Sequence, residues 1–177
     1  GSDDLGMDKE KARYWLVKAA ESNPKAMVSL ALKYCVGKRT DEALALCIKA
    51  GDMSCGQTKV EADRLTAQIY GDMSFAGYDP EKQKAYLLKA LNVKAVPTDN
   101  GFDDEYARAA SLLRAWFQLK NTNSPSESNV KNAAYCAVIA TVLDRDYADR
   151  LSKFAIRQSQ FDAWAVDARN YNFYLPC

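Results

Sequence analysis

The sequence predicts an all-α fold built from antiparallel helical hairpins stacked side by side. Three observations point there. Apolar residues recur at three- and four-residue steps through most of the chain. Sustained alternation and β-branched runs, the marks of strands, are nearly absent. A pattern of small residues followed by an aromatic returns several times, as it does when one helical unit repeats. The 177 residues have room for one domain with a sizeable core, or for roughly four to five stacked hairpins.

Taken in order, residues 8–21 form the first amphipathic helix, with Asp8 as N-cap and Ala12, Trp15, Leu16, Ala19 and Ala20 along one face. Ser22-Asn23-Pro24 ends it and opens the next, since proline is tolerated at the first helical position. Residues 25–36 form a second helix, with Gly37 where a left-handed C-cap would sit. A third runs over 40–50 and turns at Gly51, and a fourth spans 58–70. After a loop at 71–77, Asp79-Pro80 starts a fifth helix that reaches Asn92. Residues 96–101 are a loop, 103–119 a long amphipathic helix, and 121–126 (NTNSPS) the most linker-like stretch. Residues 128–143 are apolar on several sides and predict a central helix. An amphipathic helix over 145–158 and a shorter one over 160–169 follow, for eight or nine in all. The aromatic tail 170–177 is expected to pack rather than extend into water.

The repeat is visible residue by residue. Asp8-x3-Ala12-x2-Trp15-x2-Lys18-Ala19-Ala20 has counterparts in Ala43-x2-Leu46-x2-Lys49-Ala50-Gly51 and in Asp79-x6-Tyr86-x2-Lys89-Ala90. Between the first two lies Ala26-x3-Leu30-Ala31-x2-Tyr34-x2-Gly37, echoed by Ala62-x3-Thr66-Ala67-x2-Tyr70. Alanine at fixed helical positions lets neighbouring axes approach, and the aromatic fills the gap beyond. At these residues the chain resembles the Sel1-like repeat family, relatives of the tetratricopeptide repeats. The resemblance covers about residues 8–95; residues 96–177 read as degenerate repeats or a helical cap on the same stack.

Five cysteines and no CxxC pair argue against zinc-ribbon and thioredoxin-type sites. The Cys47–Cys55 spacing resembles the cysteine-containing subset of Sel1-like proteins, in which such a pair bridges the helices flanking a turn. With the turn at Gly51 the two cysteines are equidistant from it, so the spacing accommodates that bridge. The alternative is two small buried hydrophobes. Cys136 and Cys177 would pair only if the tail folds back, and Cys35 has no assigned partner. The subset is secreted or periplasmic, which makes an oxidising envelope compartment the expected location, with any leader already removed, and the cytoplasm the alternative.

Composition narrows the function. Lys and Arg total 24 against 23 Asp and Glu, a net charge of +1, so nothing favours nucleic acid. No apolar stretch is long enough for a membrane span. Histidine is absent, which removes His bases, His-activated nucleophiles and His-ligated metals. No catalytic set, cofactor site or metal site is expected. Asp103-Asp104-Glu105 reads as negative charge at a helix N-terminus, and Asp144-Arg145-Asp146 with Asp149-Arg150 as surface pairing at a helix start. Lys18, Lys49 and Lys89 occupy one repeat position and are expected to be structural.

The expected function is therefore a non-enzymatic protein–protein interaction module of the bacterial cell envelope. The resemblance permits an immunity or inhibitor role, neutralising a secreted toxin. The alternatives are a general scaffold or adaptor, and a carboxylate-dependent hydrolase with an acid of raised pKa facing a second carboxylate. The resemblance further implies that the first helix of each hairpin, here 25–36, 58–70 and 103–119, lines a concave binding face. That nominates Lys33, Arg64, Gln68, Arg108 and Arg114 for partner contact. Loop and tail aromatics, Phe75, Tyr78, Phe102, Tyr171, Phe173 and Tyr174, are expected chiefly to cap the core. Phe75 and Tyr78 are the best further anchors, because aromatics dominate interface energetics.

Overall fold

The computed structural model describes residues 2–94, 102–170 and 172–173. The 96–101 loop, Tyr171, Tyr174 and Cys177 lie outside the described residues, as does the expected boundary between the two halves. The fold is all-α, with no strand among the described residues. The helices are α1 (Ser2–Ala19), α2 (Pro24–Val36), α3 (Thr40–Met53), α4 (Gly56–Tyr70), α5 (Pro80–Leu91), α6 (Phe102–Asn123), α7 (Glu127–Leu143) and α8 (Gln158–Arg169). A 3₁₀ segment (Arg145–Lys153) joins the last two.

Three N-termini are capped where short polar side chains precede a helix. Asn23 Oδ1 accepts from the backbone N–H groups of Lys25 and Ala26 at 3.0 and 3.3 Å, with Pro24 at the first position. Asp79 does the same for Glu81 and Lys82 ahead of Pro80, and Ser126 Oγ accepts from Asn129 N–H at 3.1 Å. Each cap satisfies backbone donors that the helix leaves orphaned.

Several expected boundaries move. Helix α1 runs through Asp8, so that residue is not its cap. The left-handed residue after α2 is Lys38 (φ 57°), while Gly37 keeps φ −81°. Helix α6 continues to Asn123 and absorbs half of the linker-like stretch. The expected amphipathic helix at 145–158 is instead the short 3₁₀ segment, started by Asp144, whose Oδ1 accepts from Asp146 N–H at 3.0 Å. In a 3₁₀ helix residues three apart eclipse. That stacks the Arg150 guanidinium over the Tyr147 ring, 4.8 Å from its centroid.

Each helix from α1 to α7 packs on its successor wherever the described residues allow the comparison, and α4 also touches both α2 and α6. Helix α7 is buried from Ala133 to Ala140 without interruption, as its apolar sides predict, with α6, α8 and the 3₁₀ segment around it. Helix α4 is equally central. Its Ala62, Leu65 and Ile69 join the apolar cluster of α2 and α3, while Val60 and Ala67 join the cluster of α5, α6 and α7. Phe173 closes the second cluster, edge-on to Tyr106 at 5.4 Å, so that part of the tail packs as expected.

Two expectations fail. Trp15 is not in the core; it is 67% exposed beside Tyr14, because among the described residues α1 packs chiefly on α2, and around it only part of Leu16 and the following Ala20 join the core. The Cys47–Cys55 bridge is absent, and both cysteines are free thiols. Its premise was a turn at Gly51, but α3 continues through Gly51 to Met53. Cys47 is therefore buried about 9 Å back along the α3 axis from the helix end, whereas Cys55 is exposed at the start of α4. That offset, with Cys47 facing the core, exceeds what a disulfide spans. The argument from cysteine pairing to an oxidising compartment falls with it.

Candidate functional site

The sequence places a charged or amide side chain on the outward stripe of α4 and α6, and packing brings three of these together. A groove of about 360 Å³ is lined chiefly by Leu32 and Cys35 of α2, Arg64, Gln68 and Ile69 of α4, and Arg108 of α6, with one carboxylate, Asp72, from the loop after α4. Its floor is an ion-pair network. Arg64 Nε donates to Glu105 Oε2 at 2.5 Å, with both side chains buried. Arg64 Nη1 donates to Gln68 Oε1 at 3.2 Å, and Arg108 Nη1 lies 3.4 Å from the other Glu105 oxygen. Both oxygens of Glu105 are thus occupied, which fixes α4 against α6 and holds the two guanidiniums at the groove.

Glu61, half-buried one turn earlier on α4, feels the same network. Burial and then the neighbouring Glu105 carboxylate push its carboxyl above the usual range. This is the raised acid beside a second carboxylate that hydrolytic chemistry needs. In this pair Glu105 is already engaged by two arginines, one on each oxygen. Among the described residues no cluster of His, Cys, Asp and Glu is disposed to hold a metal ion.

The other nominated residues lie elsewhere. Lys33 is exposed and borders a separate recess of about 470 Å³ between α1 and α2, near Arg13 and Tyr34. Phe75 turns inward, packing on the α2–α3 cluster and against Gly77, where a Cβ would come within 2.5 Å of its ring. Tyr78 is partly exposed on the same loop. Arg114 is buried on α6, with Nη1 donating to Gln118 Oε1. Burial, then the field of Arg150, lowers the pKa of its guanidinium. So Arg64, Gln68 and Arg108 meet, and Lys33, Phe75, Tyr78 and Arg114 do not join them.

Sequence reasoning missed Glu105, read as helix-dipole charge, and missed the apolar wall from Leu32 and Ile69. No local signal identifies an ion pair between α4 and α6; only the packing of the two helices reveals it. It also missed a second buried charge. Asp63 is 1% exposed beneath Gly51, with Lys59 Nζ and Lys89 Nζ each 3.4 Å from its carboxylate. Burial pushes its carboxyl up despite both lysines. Lys89 also reaches Asp52, and Lys49 donates to the Glu21 carbonyl, so these lysines tie α5 to α3 and α3 to the segment after α1. No described helix is long and apolar enough to cross a membrane.

No family model, curated protein or solved structure matches the chain. The likeness to Sel1-like repeats rests on the residues quoted for it.

Proposed function

We propose that this chain is a non-enzymatic docking protein, a stack of helical hairpins whose α2–α4–α6 face receives an extended segment of a protein partner. The observation that carries the reading is the groove where Arg64, Gln68 and Arg108 converge beside Leu32 and Ile69. An apolar wall next to fixed guanidiniums suits a peptide that offers an apolar side chain and a carboxylate or carbonyl. The alternation of helices supports it: α2 and α6 each touch α4, leaving α3 and α5 on the other side, as stacked hairpins require. Within this class an immunity or inhibitor role fits a surface that holds a polypeptide without acting on it, and a toxin is a partner that the Sel1-like resemblance permits, beside a general scaffold or adaptor role.

The test is peptide selection. Displayed random peptides selected on the whole chain should lose binding to Leu32→Asp and to Arg108→Glu. Both positions are exposed; because Arg108 also pairs with the buried Glu105, unchanged thermal unfolding of each variant is the control that the fold is intact. Peptides that bind these variants undiminished would overturn the groove as the docking site. Co-purification with the product of a neighbouring gene then tests the toxin reading, which fails if no complex forms or if the toxin stays active within one.

A further inference from the structure

Among the described residues, the buried cation Arg114 has no carboxylate partner. Arg114 is only 9% exposed, and its Nε–H meets no acceptor in a place closed to solvent. A second guanidinium approaches from the 3₁₀ segment, where Arg150 Nη1 donates to the buried hydroxyl of Ser111, one turn before Arg114 on α6. Among the described residues neither arginine forms an ion pair with a carboxylate. Among the described residues the only carboxylate whose field is felt at Arg114 is that of the exposed Asp149, after the buried Cys136 thiol. Elsewhere the protein treats buried charge differently: Arg64 has Glu105, and Asp63 has Lys59 and Lys89.

Two guanidiniums drawn together without an anion oppose both desolvation and mutual repulsion. Ser111 Oγ accepts from Arg150, so its own proton remains free to donate. Gln118 holds Arg114 from the far side through Nη1, and the Tyr147 ring supports Arg150 from below. The donors left over belong to Arg114 Nε, the remaining Arg150 nitrogens and the Ser111 hydroxyl. All suit oxygen acceptors carrying negative charge, and planar guanidiniums bind such oxygens in pairs.

We propose that the junction of α6 with the 3₁₀ segment is a binding site for a small oxyanion, phosphate or carboxylate, held by Arg114, Arg150 and Ser111. The site is separate from the peptide groove: none of Arg114, Arg150 and Ser111 lines that groove. Bound anion would tie the 3₁₀ segment to α6 and so order the surface between α7 and α8.

The experiment is thermal unfolding of the whole chain in sodium phosphate, sodium acetate and sodium chloride at equal ionic strength, with phosphate binding measured by calorimetry. Phosphate or acetate should raise Tm along a saturating curve that chloride does not reproduce, and the stronger of the two identifies the anion class. Arg150→Gln, at a half-buried position, should weaken binding about tenfold or more, whereas Lys11→Gln, an equal charge change on exposed α1, should not. Arg114→Met should unfold at a higher temperature than the wild type without anion, yet gain nothing from phosphate. Stabilisation by chloride equal to that by phosphate and acetate, or full phosphate affinity in Arg150→Gln, would overturn the proposal.

Discussion

At the scale of single residues, Gly51 shows how a position can be recognised as special for the wrong reason. A glycine after Lys49-Ala50 suggests a turn, but the residue is helical and buried, and a Cβ there would sit 2.7 Å from Asp63 Oδ1. Its small size admits the buried carboxylate; its backbone freedom is not used. Gly51→Ala should therefore destabilise the protein by about 1–3 kcal/mol in urea unfolding, where an unconstrained helical glycine would gain from the same change. The cysteines give a second residue-scale test. Cys55 is exposed, whereas Cys47 and Cys136 are buried, so Cys55 should react with a maleimide in the native protein and the other two only on unfolding. Burial, followed by the field of Cys35, pushes the Cys47 thiol up to about 12. A thiol with a raised folded-state pKa keeps its proton while the unfolded chain releases it. Its contribution to stability is therefore complete below pH 8.5 and falls as pH rises towards 12, by at most about 1.4 kcal/mol per pH unit. Cys47→Ala should be less stable overall yet show a shallower loss of Tm between pH 9 and 10.5.

At the scale of elements, the sequence was most legible where a local signal suffices. Asn23-Pro24 and Asp79-Pro80 announce α2 and α5, because cap and proline act within one turn. Asp79→Ala and Ser126→Ala should each cost about 1 kcal/mol, measured by chemical denaturation, as the loss of one cap does. Legibility failed where an element's form depends on what it packs against. The 145–158 stretch has helical spacing, yet its register is decided by Asp144 at one end and by Arg150 reaching Ser111 on α6. Trp15 is spaced for a core face, but a face is buried only if a neighbour covers it, and among the described residues α1 packs chiefly on α2. The bridge between Cys47 and Cys55 failed in the same way, since three extra residues of α3 moved the turn and turned the two thiols apart.

At the scale of the whole molecule, α4 connects the two apolar clusters by giving one face to each. The clusters should therefore unfold together. Trp116 and Trp164 belong to the second cluster and Trp15 is exposed on α1, so in a Trp15→Phe background tryptophan fluorescence follows the second cluster, while far-UV circular dichroism follows all helices. The two transitions should coincide in urea, and Leu65→Ala, on the α2–α3 face of α4, should shift both by about 2–5 kcal/mol. A fluorescence transition left in place by Leu65→Ala would show that α4 does not couple the clusters.

The sequence by itself determined the helical class, most helix starts, the burial of α7 and the nomination of Arg64, Gln68 and Arg108. Periodicity and capping act over a few residues, and the chain carries both openly. Tertiary structure alone decided which nominated residues meet, that Glu105 and Asp63 are buried among cations, and that Arg114 lies within the field of Arg150 with no carboxylate paired to either among the described residues. Those outcomes depend on distances between helices far apart in sequence. Packing sets such distances to within an ångström, and no pattern along a single helix records them.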